Sequence, residues 1–197
     1  MYKSLPNNLL KKMSSLYKHF KLIFIYLAAM QLKAVQNERF VKLIEITCEN
    51  VNPSLLNVTF CKMEHVSRDV FEVTVEAALN LRPANNSSLY FAFVRRGHED
   101  RRPMLEYKID CCAFFRNKRR NSLANYVYRV MGFENYSNMN HTCPYDHDFL
   151  LDHYPFNGQT IGKISPFGNG FFTFHTKWYL YDVLTTIANV SLHIFDR

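Results

Sequence analysis

Seven residues between 141 and 153 are of types that could do chemistry: His141, Cys143, Asp146, His147, Asp148, Asp152 and His153. Imidazoles and carboxylates at short spacing bind zinc and other divalent ions, and a thiol beside an imidazole is the kernel of a cysteine nucleophile. The spacing argues against both. No His-x-x-x-His, Cys-x-x-Cys or Asp-x-Asp-x-Asp-Gly pattern occurs. Asp148 and Asp152 would share a face only in a helix, and Pro144 and Pro155 bracket the segment closely. His141 and Cys143 share a face if the chain is extended, but no third group is placed to orient the imidazole. Oxidation would also consume the thiol. Nucleophile-elbow, dinucleotide and phosphate-loop glycine patterns are missing too. The segment reads as exposed polar chain with no metal, no cofactor and no catalytic residue, and the protein as no enzyme.

The elements that position these residues belong to a chain built for an oxidising compartment. Residues 1–34 carry Lys3, Lys11, Lys12, Lys18, Lys21 and Lys33 and no acidic residue, followed or enclosed by the apolar run 22–30. Nine apolar residues suit a secretory signal and fall short of the ~20 that span a bilayer. The expectation is a signal peptide over 1–34, with Met13 as an alternative start, and a single secreted domain over 35–197. Of the 24 basic side chains these six belong to the leader, leaving 18 against 17 acidic ones, a net of +1. The formal +7 of the whole chain therefore gives no support to nucleic-acid binding. Acceptor patterns for N-glycosylation occur at Asn57, Asn85, Asn86, Asn135, Asn140 and Asn189, against roughly two expected by chance. Glycans would place these positions at the surface.

Strand signals dominate the rest. Phe40–Cys48 and Val58–His65 flank a turn rich in Asn and Pro, so Cys48 and Cys61 are placed to staple a hairpin. Val70–Leu81 alternates apolar with polar residues, the pattern of a half-buried antiparallel strand. Leu89–Val94 and Met104–Phe115 are further strands, separated by the mixed-charge loop 95–102. On a strand, adjacent Cys111 and Cys112 would point to opposite faces, leaving one to pair with Cys143 and the other as a buried thiol or an intermolecular link. One helix is expected, capped by Asn121 or Ser122 and ended by Gly132. Two strands close the chain, with Phe172, Phe174, Trp178 and Leu180 on one face of the first and Val190, Leu192 and Ile194 on one face of the second. Seven or so strands with one short helix predict a mostly β, two-sheet antiparallel sandwich, immunoglobulin-like or ML-like.

The run Ser137-Asn-Met-Asn-His-Thr-Cys-Pro-Tyr145 resembles the Ser-Asn-x-Asn-His-x-Cys-Pro-Tyr signature of an insect domain-of-unknown-function family. That family is related to CheB-type chemosensory proteins and, more distantly, to ML (MD-2-related) lipid-recognition and ganglioside-activator domains. Asp110-Cys-Cys-Ala-Phe-Phe115 is similar to its Asp-x-Cys-x-Phe-Leu, which implies Cys112 as the partner of Cys143 and Cys111 as the extra thiol. Cys48, Cys61, residues 66–68 and Pro103-Met-Leu105 fall in the family's order, and the resemblance spans about Phe40 to Phe195. Phe115 replaces the family's Leu, and 166–171 alters its Pro-x-Gly-x-Tyr spacing. The resemblance implies a sandwich that admits an apolar ligand between its sheets, lined by Phe71, Val73, Val75, Phe91, Phe93, Phe172, Phe174 and Trp178. The same residues would equally make a filled core. The expected function is a secreted, extracellular binding protein for a lipid or pheromone-like molecule, possessing a cell-surface receptor as a second partner and no stable membrane span. The alternative is a secreted interaction or receptor-accessory module with no cavity.

Overall fold

The alternation along Val70–Leu79 puts Phe71, Val73, Ala77 and Leu79 into the interior and Glu72 and Glu76 away from it. This strand (β3) is the middle of a three-stranded sheet, between β2 (Leu56–Ser67) and β6 (Phe149–Asn157). Facing it is a five-stranded sheet in the order β1 (Arg39–Asn50), β8 (Val183–Asp196), β7 (Gly170–Leu180), β4 (Ser87–Arg95), β5 (Leu105–Asp110). Every pairing is antiparallel. The computed structural model describes residues 38–97 and 102–197 together with Lys21. The expected leader and residues 98–101 of the mixed-charge loop lie outside the described residues.

The inner faces meet in one cluster. Val41, Leu43, Phe93, Phe172, Leu192 and Ile194 of the larger sheet pack on Phe71, Val73, Tyr154 and Phe156 of the smaller. Phe93 stacks on Phe172 with centroids 5.0 Å apart and lies 4.4 Å from the Phe167 ring. The centre of the sandwich is therefore filled. A second cluster, around Leu56, Leu79, Tyr145, Phe149 and Leu180, closes one end.

The architecture is the expected mostly β sandwich, with eight strands among the described residues and three differences in its parts. Met104–Phe115 is not one strand: β5 ends at Asp110, and Cys111–Arg116 is a helix (α1). The Asp110 carboxylate accepts a hydrogen bond from the Ala113 amide at 2.8 Å and caps it. Successive helical side chains diverge by about 100°, so Cys111 and Cys112 are both buried instead of opposed.

The second difference is β6, a strand over a segment expected to be exposed polar chain. Its apolar residues change parity, from Phe149 and Leu151 to Tyr154 and Phe156, because a bulge separates the Val75–Leu151 and Val73–Tyr154 pairs. His153 in that bulge takes a left-handed φ of 43°. Pro155 fits because β6 is the sheet's edge strand. Third, the expected helix (α2, Ser122–Met131) is capped by Asn121 and ends at left-handed Gly132, but it is joined by α1 and by α3 (Gly158–Ile164). Asn157 caps α3 through the Thr160 amide at 2.9 Å.

Candidate functional site

Strands β1 and β2 are the neighbouring edges of the two sheets. At one end they are clamped. Cys48 is joined to Cys61, but the bond links the two sheets and not the expected hairpin, because β1 pairs with β8 and β2 with β3. The Asn50 side chain reaches the Val58 amide at 2.7 Å, the Val58 carbonyl at 3.0 Å and Asn57 at 2.9 Å. Toward the other end they part, and a cleft of about 710 Å³ opens between them.

Its apolar floor comes from inward residues of both sheets: Val41 and Leu43 of β1, Met63 of β2 and Phe71 of β3. A bulge between Leu43 and Glu45 turns Ile44 out of register, and Ile44 reaches the rim. The far rim is an aromatic ladder: Phe171 stacks on His193 at 4.2 Å, and His193 on Phe195 at 5.0 Å. The Arg197 guanidinium caps it, 4.0 Å above the Phe40 ring. Arg197 also grips the Asp69 carboxylate at 2.6 and 3.1 Å, while the Asp69 carbonyl accepts from the Gly158 amide at 3.0 Å. The lining thus holds Lys42, Arg68 and Arg197 against the single carboxylate of Asp69, which favours an anionic or neutral occupant over a cationic one.

Helix α3 fixes the position of the β1 wall. Gly158 and Gly162 lie on the main chain of β1, and a Cβ added to either would collide with the carbonyl oxygen of Val41 or of Arg39. Only glycine allows this approach.

Of the eight residues expected to line a cavity, Phe71 borders this cleft. Val73, Phe93 and Phe172 belong to the central cluster, with Val75 and Phe174 packed against it. Phe91 is buried beside Tyr107 and Phe174, and Trp178 is half-buried in the larger sheet, opposite Leu89 and Thr186. Sequence reasoning missed Val41, Leu43, Met63, His65 and the ladder, because the cleft follows from which strands become sheet edges. The one available signal was the recurrence of aromatic rings at Phe171, His193 and Phe195.

The chemistry-bearing stretch lies at the opposite end of β3. Cys143 is joined to Cys112, and Cys111 is a buried free thiol pushed up to about 11 by desolvation. The Cys143–Pro144 bond is cis, and fully buried Tyr145 bridges to Ala84 through both main-chain groups, at 2.7 and 2.9 Å. Asp148 accepts from the Leu79 amide at 2.8 Å and pairs with Arg82. These contacts, the amide first, hold its carboxyl below the ordinary aspartate range. Asp152 and His153 form an exposed pair at 2.6 Å that raises the imidazole, and Asp146 points to solvent. His141 and His147 come together, but among the described residues no group of three or more potential ligands does.

Of the glycosylation-pattern asparagines, Asn85, Asn86, Asn135 and Asn140 are exposed and Asn57 and Asn189 half-exposed. Among the described residues no helix is long and apolar enough to cross a membrane.

Residues 89–174, from β4 into β7, match the profile of a family described as a protein of unknown function (DUF1091). No curated protein matches the chain at a significant level. The fold is similar to the crystal structure of chicken MD-1 complexed with lipid IVa, at 10% identity and a TM-score of 0.39, over 79% of this chain and 96% of that one.

Proposed function

We propose that this protein is a secreted carrier that binds an apolar ligand, a lipid or pheromone-like molecule, in the cleft between β1 and β2. It acts by sequestration or delivery, with no bond made or broken. The observation that carries the reading is the 710 Å³ cleft with its floor of Val41, Leu43, Met63 and Phe71. That volume falls in the ~300–1,000 Å³ range of small-molecule sites, and eight of the fourteen lining residues are apolar or aromatic, the others being Lys42, His65, Arg68, Asp69, His193 and Arg197. The two disulfides suit an extracellular setting, where such bonds persist. A role in chemosensation, with hand-over to a cell-surface receptor, extends the same proposal.

A competing reading, an interaction module with an empty cleft, draws on the exposed rim residues Ile44 and Phe171. Displacement of a fluorescent fatty-acid probe, together with native mass spectrometry of the secreted protein, separates the two. The carrier reading expects a stoichiometric apolar occupant, and at least ~10-fold weaker probe binding in Met63→Trp, which fills the cleft. A protein that takes up no apolar probe, or whose Met63→Trp form binds it unchanged, overturns the reading.

A further inference from the structure

His141 and His147 are six residues apart in a loop with no recognisable ligand spacing, yet their Nε2 atoms face each other at 2.8 Å. Each ring is anchored through its other nitrogen. His141 Nδ1 lies 2.7 Å from the Thr142 carbonyl oxygen, and His147 Nδ1 lies 2.8 Å from that of Asp148. A carbonyl only accepts, so His141 Nδ1 carries its hydrogen and the His141 Nε2 lone pair faces His147 across the gap. Asn138 has two amide hydrogens: one goes to the Asp148 carbonyl at 2.7 Å and the other can reach His147 Nδ1 at 3.2 Å, in which case His147 donates from Nε2 to His141. At 2.8 Å the two Nε2 atoms share a proton, and a metal ion that displaces it would be met by both lone pairs.

Nδ1 donating to a carbonyl while Nε2 is left free is the arrangement that orients histidines for metal ligation. The surroundings hold both rings in place. Tyr145, buried and tied to Ala84, donates from its hydroxyl to the His141 carbonyl at 3.0 Å. The Thr142 hydroxyl donates to the Cys112 carbonyl at 2.8 Å, beside the Cys112–Cys143 bond. Asn138 accepts from the Leu150 amide at 2.9 Å, fixing the chain that follows His147.

We propose that His141 and His147 form a binding site for a transition-metal ion of tetragonal preference, copper(II) foremost. Geometry selects the class. With metal–nitrogen bonds of ~2.0 Å, nitrogens 2.8 Å apart subtend about 90° at the metal, the angle of neighbouring positions in a square-planar, tetragonal or octahedral site, and the affinity order then favours copper(II) among these. A tetrahedral ion would require them roughly half an ångström further apart. Copper(II) also tops the affinity order for nitrogen ligands among first-row divalent ions. His141 is exposed, so solvent reaches the ion and water completes its coordination. The site lies away from the cleft and is independent of what the cleft binds.

The test is titration of the intact secreted protein with copper(II) in the presence of a glycine competitor, read by electron paramagnetic resonance and native mass spectrometry. The expected result is one equivalent bound, with hyperfine coupling to two imidazole nitrogens. His141→Ala and, separately, His147→Gln should each weaken it at least ~10-fold, with unchanged circular dichroism, while His153→Ala leaves it intact. Absence of a stoichiometric complex, a complex that survives either loop substitution, or one abolished by His153→Ala overturns the proposal.

Discussion

The two ends of the β1–β2 border use the same pair of strands and reach opposite outcomes. At the Cys48–Cys61 end a disulfide and the three hydrogen bonds of Asn50 draw the sheets together. At the other end the residues facing inward are just as apolar, yet a cleft opens. Hydrophobicity therefore does not distinguish closed from open here. The clamped end has covalent and polar ties directly between the two strands. At the open end the link is indirect, through Arg197 at the end of the chain and Asp69 in the β2–β3 turn. The border behaves as a hinge-sided box, shut by the clamp and held ajar beyond it.

The largest effect should come from the filled centre that both ends share. Phe172 is 1% exposed and stacked on Phe93, so Phe172→Ala should lower unfolding stability by about 3–5 kcal/mol in denaturant titration. A loss under about 1 kcal/mol would mean that the centre is as loose as the cleft, and the contrast would fail. Next, replacing Cys48 and Cys61 together by Ala releases a link across 13 residues and should remove roughly 3 kcal/mol. Hydrogen exchange should then quicken at Asn57 and Val58 and stay unchanged around Phe71. Faster exchange along the whole border would show that the clamp also sets the width of the cleft. The smallest effect is expected at the rim. Arg197→Ala breaks a half-exposed ion pair and a cation–π contact, worth about 1 kcal/mol or less. Its signature should be altered probe affinity in the cleft with little change in the unfolding midpoint.

A fourth measurement sharpens the picture of the opposite end. Cys111 is buried and its thiol is pushed up to about 11, so at neutral pH it should resist iodoacetamide in the native protein and alkylate fully in denaturant. The thiolate is the reactive form, and burial withholds it. Rapid native alkylation would place Cys111 on an accessible surface.

Much of the fold was legible because its strands announce themselves by alternation. Phe71 to Leu79 and Leu192 to Ile194 carry a period of two that no helix tolerates. Where the period slips the reading fails, as in β6, whose bulge at His153 shifts Tyr154 and Phe156 to the opposite parity from Phe149 and Leu151. The strand drawn through Cys111 and Cys112 fails for another reason. Asp110 ends β5 with a carboxylate that caps a helix, and Phe114 supplies a buried face that serves either structure. The cleft was the least legible part. Val41, Met63 and Phe195 look like any other inward or outward strand residues, and only the strand order makes β1 and β2 neighbouring edges. His141 and His147 were visible as residue types, but their meeting depends on a loop tied at Cys143 and Tyr145.

The contact of α3 with β1 has a consequence for how such a cleft could change its preference. Because Gly158 and Gly162 lie against carbonyl oxygens, no side chain separates the helix from that strand, and none can be trimmed or enlarged to shift the wall. New shapes of ligand must be accommodated by exchange of lining side chains, at Val41 and Leu43 as at Met63, His65 and Phe71, and not by movement of the β1 main chain. Variation among descendants of this chain should therefore fall on these side chains and spare Gly158 and Gly162.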